Sequence, residues 1–378
     1  MRIAIDGYIA GLGQSGFISY ISRLATSLSE LPYGDEVVLL VPSEPAFDLT
    51  PLVSSTSVEV AIVEFCHSDF VNRADRDTAW LQYVLPQALV RVKPDVLLGP
   101  TNGLPRGWPG PKVVTVHDVL FKVLPQYSTP DSVRLYEERM AGVLALADRI
   151  ITVSHSVASD LEKHFSPQVA VDVVHLAPSI AGRADVTCAA KERVATELGV
   201  KESFMLSVSP IHARKNLEGT LRAFAELPVS LRAGMKLVLA WVPERIAAPA
   251  IDDAGLSGHV VYTERLTDET LADLYSAADL LLFPSFGEGF GLPIVEAMHS
   301  GTPVIAGDNT AMPEVSGGAG LLVNPHSPED ITQAIARVLT EPGLRDSLVA
   351  AGLSRAEQFS WRATAEATRR SLLASLST

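Results

Sequence analysis

The run Pro284-Ser285-Phe286-Gly287-Glu288-Gly289-Phe290-Gly291-Leu292-Pro293-Ile294-Val295-Glu296 joins three alternating glycines to two carboxylates eight positions apart. Glycines at 287, 289 and 291 let backbone approach a ligand closely and turn amide N–H groups toward it. Pro293 suits the first turn of a helix, where its missing N–H costs little. A glycine loop that opens into a helix N-terminus favours anions, because unpaired amides and the helix dipole act in the same sense. The carboxylates of Glu288 and Glu296 would accept hydrogen bonds from a sugar diol. This combination fits a ligand that carries both phosphate and hydroxyl groups, a phosphorylated sugar or a sugar nucleotide. The plain alternative is a strand–loop–helix connection with solvated glutamates.

Two further groups have chemistry to offer. In Pro210-Ile211-His212-Ala213-Arg214-Lys215-Asn216-Leu217 a guanidinium and an ammonium stand side by side. Such a pair suits a diphosphate, one cation as a bidentate fork and the other as a point charge; a solvated pair of charges is the alternative. The strand-like run Val113-Val114-Thr115-Val116 ends in His117-Asp118. His117 could donate to a sugar hydroxyl or stabilise developing charge, with Asp118 orienting it or shaping the loop; a structural histidine is the alternative.

These residues need strands and helices to place them. Leu280–Phe283, Phe204–Ser209 and Val113–Val116 are apolar runs of the kind that form buried parallel strands. The chain begins with a strand at Arg2–Gly7, a glycine loop at Gly11–Phe17 and a helix at Ile18–Leu28. That order predicts a doubly wound α/β domain with its first loop at the ligand crevice, although the loop is not the dinucleotide fingerprint. One or two helices are expected between Asp69 and Val92, where Arg73 and Arg76 could meet an anionic acceptor or membrane, or form a solvated face. Helix caps are expected at Asp131, Ser156 and Thr267. Ala177–Val186 carries little pattern, and strand–helix alternation restarts near Phe204, so two domains are expected: 1–180 and 201–358, joined by a linker at 181–200.

Composition narrows the classes. A chain of 378 residues is long enough for two ordinary domains. A formal net charge of −14 argues against a nucleic-acid partner, which would call for a basic face. Two cysteines, Cys66 and Cys188, without a C-x-x-C imply neither a disulfide framework nor a zinc site, which fits a reducing compartment. Asp6 interrupts the short apolar N-terminus, unlike a signal peptide, and no run approaches the ~20 apolar residues of a membrane span.

The run E-G-F-G-L-P-I-V-E from Glu288 to Glu296 resembles the E-x7-E signature of glycosyltransferase family 4, the retaining GT-B enzymes. The resemblance extends to Arg214-Lys215-Asn216-Leu217, to Thr115-Val116-His117-Asp118 with Phe121 and Pro125, and to Pro313-Glu314-Val315 with Gly317–Gly320. It implies two doubly wound Rossmann-like domains facing across a cleft, the second binding the nucleotide sugar and the first the acceptor. A C-terminal helix, 359–378, would cross back to the N-terminal domain. The chain departs from the pattern at Gly16-Phe17-Ile18-Ser19-Tyr20, where members carry G-I-G-R-Y, and near Glu264, where a glycine is usual.

Carried over residue by residue, the resemblance implies that Arg214 and Lys215 hold the donor diphosphate with amides of Phe290–Leu292. Glu296 would bind the ribose, Glu288 the donor-sugar hydroxyls, and His117 would face the sugar. Gly289, Gly291, Ser209, Asn216 and Gly16 are expected at the donor. Retention is implied, by a front-side displacement, with no metal or other cofactor. The run H-D-V-L-F…P-Q-Y-S-T-P is most similar to bacterial mannosyltransferases of polysaccharide assembly, so GDP-mannose is the first expectation, ahead of UDP-glucose, UDP-N-acetylglucosamine or a deoxyhexose donor. The acceptor would be a glycan or lipid-linked, and the resemblance implies a cytoplasmic protein, with peripheral association at the inner membrane face as one alternative. Two other classes stay open: a catalytically silent nucleotide-sugar-binding or scaffold protein, and an isomerase of the same fold.

Overall fold

A computed structural model describes residues 1–11, 15–43, 58–65, 73–180, 187–208, 211–264 and 266–377. These divide into two compact units, Met1–Ser179 with Ser360–Thr378, and Ile180–Phe359.

The first unit is built on seven parallel strands: β1 Arg2–Asp6, β2 Glu36–Pro42, β3 Val58–Val63, β4 Val96–Gly99, β5 Lys112–Val116, β6 Arg149–Thr152 and β7 Val171–Val173. Their order is β3-β2-β1-β4-β5-β6-β7. Helices cover both faces of such a sheet, so its strands read as continuous apolar runs; in β2 every residue after Glu36 is buried. The strand order reverses between β1 and β4, and the crevice at such a switch lies beyond the strands' carboxyl ends. The segment expected to hold one or two helices contains helix Arg73–Ala79, a π-helical turn at Trp80–Val84 and helix Leu85–Val92. Arg76 Nε donates to Tyr8 Oη at 3.1 Å, so this side chain has a protein partner. The C-terminal helix, Trp361–Ser375, returns to this unit. It is fastened by Trp361 Nε1 to the Pro178 carbonyl at 2.9 Å, Ser371 Oγ to Asp172 Oδ2 at 2.6 Å, and an Arg369–Asp35 ion pair.

The second unit has six parallel strands: β8 Ser203–Val208, β9 Met235–Ala240, β10 Val260–Thr263, β11 Leu280–Phe283, β12 Val304–Gly307 and β13 Leu321–Val323. The order β10-β9-β8-β11-β12-β13 puts the switch between β8 and β11. The basic pair follows β8 and the glycine loop follows β11, so both emerge at that switch. Phe224, Leu237, Leu239, Leu280, Leu282 and Ile305 belong to the core on which the sheet rests. Of the segment expected to be a linker, Thr187–Leu198 is a helix of this unit, joined to helix Asp268–Ala277 by Arg193 Nη2 and Asp273 Oδ1 at 2.6 Å.

Two of the expected caps move. Thr129 rather than Asp131 caps helix Pro130–Leu144, accepting from Ser132 N at 3.2 Å, because Pro130 fits the first helical position and leaves Asp131 inside the first turn. Ser154 rather than Ser156 caps helix His155–Phe165, accepting from Val157 N. Thr267 caps Asp268–Ala277 as expected.

Asn216 ties the second switch together. Its backbone is left-handed at φ +59°, it caps helix Leu217–Ala225 by accepting from Gly219 N at 3.1 Å, and it is 5% exposed. Its amide also donates to the carbonyls of Pro284 at 3.0 Å and Pro325 at 2.7 Å. One side chain thus pins the loops after β8, β11 and β13. Asn216→Ala removes a cap and unpairs two buried carbonyls, and should destabilise the protein by about 2–4 kcal/mol in a denaturant titration.

Asp6, at the end of β1, accepts from Tyr8 N at 3.0 Å and Trp80 Nε1 at 2.9 Å. Burial pushes its carboxyl up to about 6, against the pull of those two bonds. The folded chain therefore holds a proton that the unfolded chain has lost between the ordinary value of 3.8 and about 6, and stability falls as pH rises through that window. Asp6→Asn can keep both accepted bonds. It should raise stability at pH 8 by ~1–3 kcal/mol and leave it nearly unchanged at pH 4, as read from denaturant midpoints.

Candidate active site

The geometry at the second unit's switch centres on Glu288. Its side chain is 7% exposed, yet it meets two cations: Arg214 Nη1 at 2.9 Å from Oε2, and Lys215 Nζ at 3.3 Å from Oε1. Ser285 Oγ lies 2.9 Å from Oε1 and 3.0 Å from the Arg214 carbonyl. Burial alone would raise the Glu288 carboxyl, but the Lys215 and Arg214 charges and the bonds from Arg214 and Ser285 outweigh it and hold the group below its ordinary value. Glu288 is therefore a carboxylate at neutral pH. Two cations against one anion leave the cluster one positive charge in excess.

Arg214 and Lys215 reach this place because the turn Ala213–Lys215 is fixed from both sides. Phe286 N donates to the Arg214 carbonyl at 2.7 Å, and Arg214 Nη1 donates back to the Gly287 carbonyl at 2.7 Å. Lys215 Nζ also stands 5.0 Å from the centre of the Phe283 ring, a favourable place for an ammonium.

The glycine loop turns into helix Leu292–His299 at Gly291, whose φ of +104° suits glycine and strains any other residue. Pro293 occupies the first turn, as its sequence position implies. Phe290 is buried, its ring edge-on to Phe359 at 5.7 Å. Glu296 lies in that helix, 7% exposed, and accepts from Tyr275 Oη at 2.8 Å. Burial, with the Glu296 carboxylate alongside, pushes the Tyr275 phenol well up, so the tyrosine stays a neutral donor.

The structure thus brings Arg214, Lys215, Glu288, Gly289, Phe290, Gly291, Leu292 and Glu296 to one switch and its loops. Asn216 belongs there too, but its side chain is spent on three protein partners. Ser209 lies outside the described residues, as do residues 12–14 of the first glycine loop. Gly16 sits exposed in helix Ser15–Ser29, where an added Cβ would meet open space.

His117, in the first unit, follows β5. Its Nε2 is 2.8 Å from the Pro100 carbonyl, and the rings of Tyr20 and Phe17 stand edge-on at 5.0 and 5.2 Å. A carbonyl only accepts, so Nε2 carries the proton. Burial lowers the ring's affinity for a second proton, more than the Pro100 bond and Asp118 raise it, so the imidazole is neutral. Nδ1 is then an acceptor. A sugar hydroxyl would donate to His117 rather than receive from it, which reverses the expected polarity of that contact. Asp118 shapes the loop, accepting from Leu120 N at 3.0 Å.

Three contributors were not singled out from the sequence. Ser285 stood inside the quoted motif but carries no signal of its own. Tyr275 lies on the buried side of a helix, where an aromatic residue reads as core. Thr310 accepts from Glu288 N at 3.0 Å from 22 residues away.

Comparison with known proteins agrees with this geometry. Residues 189–355 match the family "Glycosyl transferases group 1" and residues 15–177 match "Glycosyltransferase Family 4". The O-antigen chain mannosyltransferase B of Escherichia coli is 33% identical over 259 residues, which cover 66% of this chain and 66% of that protein. An MMP alpha-(1->4)-mannosyltransferase of Mycolicibacterium hassiacum is 33% identical over 223 residues, 58% of this chain and 52% of that one. The match thus spans somewhat under two thirds of the first relative and about half of the second. Among solved structures, sucrose-phosphate synthase from Thermosynechococcus elongatus has a TM-score of 0.78 at 19% identity, covering 98% of each chain. WaaG, a glycosyltransferase involved in lipopolysaccharide biosynthesis, has a TM-score of 0.74 at 18% identity, covering 98% of this chain and 99% of that one. The fold is therefore GT-B, and the chain belongs to the family 4 glycosyltransferases.

Proposed function

We propose that this protein transfers mannose from GDP-mannose to a glycan or lipid-linked acceptor in polysaccharide biosynthesis, with retention and without a metal. The observation that carries the reading is the buried Glu288 bridging Arg214 and Lys215. The excess positive charge suits a diphosphate, which would take over the two cations as charge develops on the leaving group. Glu288, relieved of part of that duty, can then accept from the hydroxyls of the donor sugar. Glu296, oriented by the Tyr275 hydroxyl, accepts from the ribose diol. The same two cations serve the role a divalent metal serves elsewhere, so none is required at the leaving group.

The bond from the anomeric carbon to the phosphate oxygen breaks, and the acceptor oxygen bonds to that carbon on the same face. The acceptor's proton passes to the departing diphosphate. Mannose is favoured over other sugars by the mannosyltransferases that the chain resembles at 33% identity. Among the described residues no helix is long and apolar enough to cross a membrane.

The test is nucleoside diphosphate release by purified protein supplied with GDP-mannose, UDP-glucose or UDP-N-acetylglucosamine and mannose-terminated oligosaccharides. Release of GDP from GDP-mannose is expected, undiminished by EDTA. Lys215→Ala and Glu296→Ala should each lower it by about 100-fold or more, the scale of losing a group aimed at developing charge or at the donor. Release of UDP instead would keep the site and replace the donor. Loss of activity in EDTA would overturn the metal-free reading, and turnover of no donor would favour a silent binding protein.

A further inference from the structure

Thr310 is a β-branched residue with its backbone in the left-handed region, φ +50°. That conformation is costly for any residue with a Cβ and is a genuine outlier for a branched one. Strain of this kind persists only where surrounding structure enforces it, and it gathers at functional sites. Here the surrounding structure is visible. Thr310 follows β12, in the segment Asp308–Ala311 that runs beside the glycine loop. Its Oγ1 accepts from Glu288 N at 3.0 Å, and the next residue's amide, Ala311 N, lies 3.4 Å from the Glu288 carbonyl. Both backbone polar groups of Glu288 are thus held by two consecutive residues of one strained turn.

The turn is itself anchored. Ala311 starts the short helix Met312–Ser316, and Arg355 holds the far end of that helix, donating from Nη2 to the Glu314 carbonyl at 2.7 Å and from Nε to the Val315 carbonyl at 3.0 Å. Gly307, one residue past Ala306 in β12, packs so closely that an added Cβ would lie 2.6 Å from the Ser285 carbonyl. The floor beneath Glu288 therefore has little freedom to shift.

We infer that Thr310 is a positioning residue for the sugar-facing carboxylate: its hydroxyl fixes the Glu288 backbone so that the carboxylate can face the donor-sugar hydroxyls while remaining beside Arg214 and Lys215. The inference rests on the proposed role of Glu288 at the donor sugar. Serine has the same acceptor at the same place, and valine has the same shape without it. The turn demands left-handed backbone, which glycine accepts best, yet the chain keeps a hydroxyl there. A hydroxyl requirement explains that choice, and backbone economy does not.

The test compares Thr310→Val, Thr310→Ser, Glu288→Gln and the double variant Glu288→Gln/Thr310→Val in the full chain, by steady-state transfer and thermal unfolding. Thr310→Val should lower kcat by about 10- to 100-fold with the donor KM within about threefold, the signature of a misplaced group rather than lost binding. Thr310→Ser should stay within about threefold of the parent, and the double variant should transfer no more slowly than Glu288→Gln alone, since both act through one carboxylate. A fully active Thr310→Val beside an impaired Glu288→Gln overturns the positioning role and leaves the Glu288 reading intact. A fully active Glu288→Gln overturns both. Additive losses in the double variant, or a Thr310→Ser as impaired as the valine, also overturn it, because a merely structural residue would behave that way.

Discussion

A carboxylate almost out of reach of water, Glu288, stands between a guanidinium and an ammonium, and the local structure is arranged around keeping it there. Withdrawing a carboxylate from water costs several kcal/mol, and attraction to its partners offsets that only where the geometry is good. Both cations are less than a quarter exposed, and Ser285 adds a hydrogen bond, so the geometry is good. Removing the carboxylate from such a cluster costs about 3–5 kcal/mol because two largely buried cations are left unmatched, whereas removing one cation leaves a balanced pair. A diphosphate can share the two cations with Glu288, whose carboxylate stays beside them and turns its free acceptor positions to the hydroxyls of the donor sugar. The same electrostatic balance that stabilises the cluster thus suits it to an anionic ligand.

Holding that cluster requires loops to converge from strands that are distant in sequence. The reversal of strand order between β8 and β11 opens the crevice, and loops after β8, β11 and β12 line it. Among the described residues each of these loops contains one left-handed residue: Asn216 at φ +59°, Gly291 at φ +104° and Thr310 at φ +50°. The three solve one backbone problem at different cost. Glycine enters that region freely, asparagine with modest strain, and threonine with the most. Asparagine is repaid by three hydrogen bonds that join the loops. Threonine is repaid by its hold on Glu288.

Much of this is legible in the sequence. The apolar run before Gly287, the glycine spacing and Pro293 place a strand, a loop and a helix in order, and the basic pair after Phe204–Ser209 places the second loop. What the sequence hides depends on contacts across long separations. Asn216 looks like part of a ligand motif, since nothing local announces that its amide reaches carbonyls 68 and 109 residues away. Thr310 is invisible because its partner is Glu288, and its strain is a property of the backbone. His117 was placed correctly at a strand end, but its polarity follows from the Pro100 carbonyl, which no motif includes. Lys191–Leu198 reads as a helix within the expected linker; that the helix, Thr187–Leu198, belongs to the second unit depends on contacts such as the Arg193–Asp273 pair, 80 residues apart, which no local pattern announces.

The central claim is that Arg214 and Lys215, held beside Glu288, bind the diphosphate of the donor. Calorimetric titration with GMP and with GDP measures it most directly, because the two ligands differ only in the phosphate that the cations would hold. The account predicts that GDP binds at least about 10-fold tighter than GMP, a difference of about 1.4 kcal/mol, and that this difference vanishes in Lys215→Met and Arg214→Met. Equal affinities in the parent protein, or a preference for GDP that survives both substitutions, would contradict it.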